Sequence, residues 1–240
     1  MTREGYGLIF ESNMDSILNI VEDNSQERAY RYLKDAILNL EFKPNVPLRT
    51  QSIAESISLS RTPVREALSR LEQEGLVART GGWGYIVRPI TLKEALDVYK
   101  VREALEVEAV REAIANIDGA ALERMRKCLK AAADEVKKGR LKEFRDNTRE
   151  FYHMIVNRTG NVCLKKMLMQ IDDQIRLLGA MMAHRHHSRP SESLSENLAV
   201  LDALEQGDLD KAEHAVRKHV SSARNTLLSH VMQGQDQILM

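Results

Sequence analysis

The sequence predicts a mainly α protein, in which a small helical domain ending in a short hairpin precedes an all-α antiparallel helical bundle. Three observations lead to this prediction. Apolar residues recur at helical spacing through most of the 240 residues. Proline and glycine interrupt that spacing between segments. Two short segments of strand type flank the glycine-rich run at residues 81–84.

The N-terminal segment, residues 1–24, holds five acidic residues and one arginine, and we interpret it as an acidic arm. A first helix is predicted from Asn24, because Asn24 and Glu27 have the spacing of a capping box. Apolar residues then repeat on one face until Pro44 and Pro47 break the chain.

Two further helices follow around a short turn. One is predicted from Thr50, and residues 58–60 form the turn. Thr62 can cap the next helix, with Pro63 at its first position, where the missing N–H costs nothing. Gly75 ends this helix.

A glycine-tipped hairpin completes the N-terminal domain. Residues 76–80 and 85–88 are predicted to be its strands. Helix, helix, turn, helix and hairpin in this order are typical of a winged helix-turn-helix, which we place over residues 25–90.

The remaining chain is predicted to be a helical domain over residues 91–230, followed by a tail at 231–240. Thr91 and Glu94 form a second capping-box pattern at its start. Six helices are expected, broken by glycine, asparagine and serine. Their predicted bounds are 92–116, 120–138, 141–158, 162–187, 193–206 and 208–229.

Composition excludes several classes of protein. No apolar run reaches the ~18 residues of a membrane span, and the N-terminus lacks the pattern of a signal peptide. Cys128 and Cys163 make neither a disulfide framework nor a zinc motif, so we expect a cytoplasmic protein. Lysines and arginines equal acidic residues at 35 each, which excludes a uniformly basic surface but not a local one.

A local basic surface is expected at the start of the third helix. Arg61 and Arg65 lie four residues apart on one side of it, with the hydroxyl groups of Ser60 and Thr62 beside them. Recognition helices place their N-terminal residues at the bases of the major groove, where arginine can bind guanine through two hydrogen bonds. A solvated helix face is the alternative interpretation, but the surrounding helix-turn-helix pattern favours DNA binding.

These segments resemble the GntR family of bacterial transcription regulators. The resemblance is carried by Ser60-Arg61-Thr62-Pro63-Val64-Arg65-Glu66-Ala67-Leu68, Arg70-Leu71-Glu72, Glu74-Gly75-Leu76-Val77 and Tyr99-Lys100-Val101-Arg102-Glu103-Ala104-Leu105-Glu106. The helical remainder resembles the FadR-type C-terminal ligand-binding (FCD) domain, so the resemblance covers about residues 25–229. Six helices in this part are more similar to the shorter, VanR-like branch.

The resemblance implies which residues contact DNA. Besides Arg61, Thr62 and Arg65, it implies a phosphate contact from Arg49 and contacts from the wing around Gly82 and Trp83. Two positions depart from the family pattern: Ser58 stands where glycine is usual, and Trp83 stands at a wing tip that is usually basic or small. Two roles are open for Trp83, which either packs on deoxyribose or braces the wing.

The resemblance also implies where an effector binds, at the positions that correspond to the family's metal site. Many members hold a divalent metal with one Asp and three His, and the landmarks Gly160-Asn161 and Gly207-Asp208 set the register here. The four positions then hold Thr148, Tyr152, Asn197 and His219. Hydroxyl and amide groups are poor ligands for a divalent ion, so we expect no metal and no other cofactor.

The same four side chains offer hydrogen bonds to a carboxylate or carbonyl group, with Arg102 and Arg176 as cationic partners. We therefore expect a small organic-acid effector with an apolar body. The alternative is a core network in which these groups only satisfy one another.

Other groups of possible ligands have ordinary explanations. His153 neighbours Tyr152, but its partner four residues back is Arg149, which is unsuited to metal. The His184-Arg185-His186-His187 run is best explained as a solvated helix end. Met181 and Met182 are best explained as core residues, although methionine also suits an irregular ligand cavity.

The sequence therefore predicts a transcription regulator and not an enzyme, since no catalytic triad, phosphate loop or dinucleotide fingerprint is present. We expect a homodimeric repressor that binds a short inverted repeat in double-stranded DNA and is released by its effector. Two alternatives are a regulator controlled without a small molecule and, with less support, an enzyme built on the helical bundle.

Overall fold

The computed structural model describes residues 25–81, 84–185 and 188–232. The chain divides into two compact units, with the division between Pro89 and Ile90. The predicted acidic arm at 1–24 and the end of the predicted tail, residues 233–240, lie outside the described residues.

Between residues 25 and 89, the described part of the N-terminal unit contains three helices, α1 (residues 25–38), α2 (Thr50–Ser56) and α3 (Arg61–Gln73). Their apolar residues recur every three or four positions, so each helix has one face that can leave water together with the others. The side chains that are buried between them include Leu33, Ile37, Ile53, Val64, Leu68 and Leu71.

In the described part of this unit, three short strands form one antiparallel sheet in the order β1-β3-β2. β1 (Pro47–Leu48) and β2 (Val77–Arg79) pair with opposite edges of β3 (Tyr85–Val87). Leu48 lies opposite Tyr85, and both side chains are buried. β1 is not predicted from the sequence, because two residues that include a proline show no alternation, and it is pairing with β3 that makes them a strand.

The start of α3 differs from the prediction. Ser60 is the N-cap residue and Arg61 the first helical residue, so the expectation that Thr62 caps the helix is wrong. Pro63 is therefore the third helical residue, where its missing N–H still costs nothing, because the first four N–H groups of a helix have no partner within it. Before the helix, Ser58 adopts a left-handed backbone with φ 54°, which explains why glycine suits this turn.

The C-terminal unit is helical throughout its described part. Its helices are α4 (Leu92–Ala113), followed by a 3₁₀ turn at Ile114–Asn116, α5 (Gly119–Lys137), α6 (Leu141–Val156), α7 (Val162–Arg185), α8 (Arg189–Gln206) and α9 (Leu209–Met232). The predicted capping box is confirmed: Thr91 Oγ1 accepts from the Glu94 N–H at 3.2 Å, and the Glu94 carboxylate accepts from the Thr91 N–H at 2.9 Å.

Helix α8 begins four residues earlier than predicted, at Arg189 instead of residue 193. Pro190 tolerates this position because it lies in the first turn, where its N–H is not needed. The Arg189 side chain is also buried against Glu196, which draws the start of α8 into the bundle.

The helices of this unit pack side by side, with α5 along α6 and α8 along both α9 and α5. The bulky side chains that are fully buried here are Met125, Leu129, Phe151, Ile155, Leu178, Met181 and Leu201. Met181 is thus a core residue, whereas the side chain of Met182 lies outside the described residues. None of the described helices is long and apolar enough to cross a membrane.

Candidate functional site

The first part of the site is the start of α3, which presents Ser60, Arg61, Thr62 and Arg65 to solvent. No acidic group in residues 25–81, 84–185 or 188–232 lies within ion-pair distance of Arg61 or Arg65. Arg49, the N-cap residue of α2, is likewise exposed and has no acidic partner in the same ranges. These cations are therefore available to an anion from outside the chain.

The backbone at this helix end favours the same kind of partner. The Ser60 side chain makes no capping hydrogen bond, and the first turn of α3 contains no acidic residue. Its N–H groups therefore retain the positive end of the helix dipole, which is a ready site for phosphate.

Other arginines of the N-terminal unit are held by the protein itself. The Arg70 guanidinium carbon lies 3.5 Å from the centre of the Tyr30 ring, and its nitrogens lie 3.0 Å from Glu27 and 3.4 Å from Glu74. Arg79 binds Glu72 at 2.9 Å. These contacts join α1 to α3 and β2 to α3. Two predicted wing contacts, Gly82 and Trp83, lie outside the described residues.

The second part of the site lies in the helical unit. Seven side chains from α4, α6, α8 and α9 form a connected group that we call the polar cluster: Arg102, Glu106, Tyr152, Arg189, Glu196, Asn197 and His219. Five of them are at most 8% exposed.

A continuous path of charged and polar contacts runs through the polar cluster. Arg102 Nε donates to Glu106 Oε1 at 2.7 Å, and Arg102 Nη2 lies 3.1 Å from His219 Nε2. His219 Nδ1 lies 2.9 Å from Glu196 Oε2, and Arg189 binds both Glu196 oxygens at 2.8 and 3.1 Å.

This path determines the protonation of His219. A guanidinium group can only donate, so His219 Nε2 accepts, and the ring proton is on Nδ1, which donates to Glu196. Burial lowers the pKa of His219, and the nearby Arg102 charge acts in the same direction. Burial raises the pKa of Glu196, but hydrogen bonds from His219 and Arg189 outweigh burial and lower that pKa to about 2. His219 is therefore neutral between charged neighbours.

Tyr152 connects this path to Asn197. Its hydroxyl donates to Asn197 Oδ1 at 3.2 Å, and its ring stacks on the His219 imidazole with centroids 5.6 Å apart and an interplanar angle of 26°. Burial raises the pKa of the Tyr152 hydroxyl, and the Glu106 charge adds to that rise. Two atoms of this cluster, Glu106 Oε2 and Asn197 Nδ2, are buried without a hydrogen-bond partner in the part of the chain that the structure describes.

The other two predicted effector residues, Thr148 and Arg176, make contacts outside the polar cluster. Thr148 donates its hydroxyl to the Arg145 carbonyl of its own helix at 3.0 Å. Arg176 lies on α7 near Arg145, where burial and the Arg176 charge together lower the pKa of Arg145. The polar cluster thus unites Arg102, Tyr152, Asn197 and His219 from the predicted set.

Both units match known families. Residues 25–87 match the model of bacterial regulatory proteins of the gntR family, and residues 97–222 match the FCD domain. The chain belongs to the GntR family and carries an FCD domain. Regulators of this family bind DNA, and FCD domains bind small-molecule effectors.

Similar proteins align with this chain over most of their length. The chain is 24% identical to the HTH-type transcriptional repressor RspR of Escherichia coli, over 81% of this chain and 85% of that one. It is 29% identical to a probable D-xylose utilization operon transcriptional repressor of Paenarthrobacter nicotinovorans, over 73% and 76%. The solved structure of E. coli McbR/YncC has the same fold, with a TM-score of 0.74, 21% identity, and coverage of 88% of this chain and 99% of that one.

The polar cluster of this GntR regulator does not suit the divalent metal that many FCD domains hold. His219 Nε2, the unprotonated nitrogen that could coordinate an ion, already accepts a hydrogen bond from the positively charged Arg102 guanidinium. Tyr152 and Asn197 both stand at positions that the register assigns to imidazole, and they offer a neutral hydroxyl group and a neutral amide instead. In the described ranges, no three His, Cys, Asp or Glu side chains are grouped as a metal site would require.

Three members of the polar cluster are not among the predicted site residues: Glu106, Arg189 and Glu196. Glu106 carried a usable signal, because it follows Arg102 by four residues on the buried stripe of α4. Arg189 carried none, since it lies in a segment that the sequence assigned to a loop. Glu196 directly precedes Asn197, but the alignment with the family's metal site selects only Asn197.

His153 and the run at residues 184–187 are the other histidines that the sequence singles out. His153 lies near Arg149, which binds Asp172 through Nε at 2.8 Å. Burial lowers the pKa of His153, and the Arg149 charge adds to that effect. His186 and His187 lie outside the described residues, as does the side chain of His184.

Proposed function

We propose that this GntR regulator is a homodimeric repressor that binds an inverted repeat through the start of α3. The observation that carries the proposal is that Arg61 and Arg65 lie in the first turns of α3, whose N-terminus is uncapped. Like Arg49 at the start of α2, they are exposed and have no acidic partner within the described part of the chain. One recognition helix reads too few bases to specify a genomic address, so a pair of helices on two half-sites is required. Arg61 and Arg65 then read bases, and Arg49 binds a phosphate.

The second part of the proposal is release from DNA by a small molecule at the polar cluster. Two members of the cluster, Arg102 and Glu106, lie on α4, which begins at Leu92, directly after the boundary between the units. A ligand that changes the position of α4 therefore acts on the segment that leads to the DNA-binding unit. Release requires that the ligand bind the released state more tightly than the DNA-bound state.

The DNA part is tested by selecting fragments of genomic DNA with the purified protein and measuring affinity for the recovered operator by fluorescence anisotropy. Arg61→Ala and Arg65→Ala should each weaken specific binding by ~1–3 kcal/mol and relax base preference. Arg70→Ala is the matched control, since this residue of the same helix is held by Tyr30, Glu27 and Glu74. Wild-type affinity in both test variants would rule out this docking.

The effector part is tested by a thermal-shift screen, followed by addition of each hit to the protein–operator complex. The screen includes organic acids, the class that the sequence predicts, and D-xylose, because a similar repressor is named for D-xylose utilization. Tyr152→Phe removes one hydroxyl group and little volume, so it should weaken both binding and release. Full induction in Tyr152→Phe and Asn197→Ala would exclude the polar cluster as the effector site. Release by no compound would favour control without a small molecule.

A further inference from the structure

The polar cluster has no net charge available for a carboxylate ligand. Arg102 is paired with Glu106, and Arg189 is paired with Glu196, while His219 between them is neutral. Two positive and two negative side chains therefore cancel. A carboxylate that entered the cluster would have to displace Glu106 or Glu196 from its arginine.

Two buried atoms of the polar cluster instead lack a hydrogen-bond partner among the residues that the structure describes, and one is a donor while the other is an acceptor. Glu106 Oε2 can only accept a hydrogen bond, and Asn197 Nδ2 can only donate. Glu106 is 6% exposed and Asn197 0%, so bulk water does not satisfy either atom. Buried polar atoms in native proteins nearly always have a partner, and each exception asks for an explanation.

Both atoms belong to side chains that converge on Tyr152. Asn197 accepts the Tyr152 hydroxyl through its other amide atom, so its NH₂ group is turned away from that bond. The Glu106 charge is close enough to Tyr152 to raise the pKa of its hydroxyl. The donor and the acceptor thus belong to two side chains that both interact with Tyr152.

We propose that the effector group that reaches the polar cluster is uncharged and is both donor and acceptor, as a carboxamide or a hydroxyl is. A carboxamide would donate its N–H to Glu106 Oε2 and accept from Asn197 Nδ2 through its carbonyl. A carboxylate can accept from Asn197 but meets the like charge of Glu106. This inference rests on the proposed function, because it narrows the ligand of the proposed effector site.

The test uses the full-length protein and sets of three compounds that share one carbon skeleton and end in a carboxylate, a carboxamide or a primary alcohol. The skeletons are linear, cyclic and aromatic. Melting temperature identifies binders, and isothermal titration calorimetry compares the members of each set. In at least one set, the carboxamide or the alcohol should bind about tenfold or more tightly than the carboxylate.

Two isosteric variants test the roles of the two atoms. Glu106→Gln removes the acceptor and Asn197→Asp removes the donor, and each should weaken the best uncharged binder by about tenfold or more. Glu106→Gln should also shift preference toward the carboxylate of the same set, which a general loss of packing would not do. Glu150→Gln and Asn225→Asp make the same chemical changes at exposed positions and serve as controls.

Three outcomes overturn the inference. The first is that the carboxylate binds most tightly in every set, and the second is that wild type and both variants bind the hit equally well. The third is that no carboxamide or alcohol binds, which would mean that internal water satisfies the two atoms. The proposed function fails differently: an uncharged hit that binds at the polar cluster but leaves operator affinity unchanged would refute effector-driven release and leave the inference standing.

Discussion

The start of α3 and the polar cluster both depend on arginine, but they place it in opposite surroundings. Arg61 and Arg65 are exposed and have no acidic partner in the described part of the chain. Arg102 and Arg189 are buried and are paired with Glu106 and Glu196.

The surroundings of each arginine determine whether it contributes to DNA binding or to folding. An exposed cation is hydrated and pays little to exchange water for a phosphate or a base, so it contributes to binding and not to folding. A buried cation needs its partner in order to remain buried, so it contributes to the arrangement of the helices that hold it. Substitution should therefore separate DNA affinity from stability.

The largest effect on stability is expected for Arg102→Ala. The change leaves Glu106 buried without its partner and removes the donor to His219 Nε2, so the free energy of unfolding in urea should fall by about 3–5 kcal/mol. Arg111→Ala, which breaks an exposed pair with Glu213, is the control and should have a much smaller effect. If the two variants unfold alike, the polar cluster does not stabilise the helical unit. Should Arg102→Ala fail to fold, Arg102→Met with Glu106→Leu should restore folding.

The next effect is a pH dependence that originates in the same region. The pKa of His219 is lowered from 6.5 in the folded state, so below pH 6.5 the unfolded chain takes up a proton that the folded chain does not. The contribution of neutral His219 to the free energy of unfolding is therefore complete above pH 6.5. It decreases as the pH falls, by up to about 1.4 kcal/mol per pH unit.

His219→Gln should make the free energy of unfolding less dependent on pH between pH 6.5 and 4.5. The carboxyl group of Glu196, whose ordinary pKa is 4.5, contributes below that range. The lowered pKa of His153 adds a decline of the same sign. The comparison is therefore made in a His153→Gln background, by urea unfolding at several pH values. An unchanged slope without His219 would contradict its neutral, buried state.

A smaller effect is expected on the DNA side, from Arg49→Ala. Loss of one phosphate contact should weaken specific and non-specific DNA by similar factors, and should reduce the slope of log affinity against log salt by about one. Fluorescence anisotropy across a salt series measures this slope. Arg31→Ala is the control, because Arg31 is exposed on α1 but binds Glu27 at 2.8 Å. Equal salt slopes for wild type and Arg49→Ala would remove Arg49 from the interface.

The smallest effect is expected at the turn before α3. Ser58 has φ 54°, a conformation that costs a residue with a side chain about 1–2 kcal/mol, against the ~0.5–1 kcal/mol of entropy that glycine loses on folding. Ser58→Gly should therefore stabilise the protein by about 0.5–1 kcal/mol in urea unfolding. Ser58→Ala keeps the strained conformation and should bring no gain, so a gain in both variants would point to another cause.

Sequence patterns that act over a few residues were sufficient to predict most of the secondary structure of this protein. The helical spacing of apolar residues, the Thr91–Glu94 capping box and the glycine-rich run predicted the helices and the hairpin, because such signals act within a few residues of the chain. Exposure of Arg61 and Arg65 also followed from the sequence, since they lie opposite the apolar face of α3. Assignment to the VanR-like branch stays a prediction.

Only the tertiary structure decided what lies between distant segments. β1 exists because β3 pairs with it, and α8 starts early because Arg189 finds Glu196. The sequence left Arg102 free to meet a ligand carboxylate, whereas the fold places Glu106 and His219 on its guanidinium. Pairing of buried charges depends on contacts between separate helices, and no local spacing along the chain encodes which charges will meet.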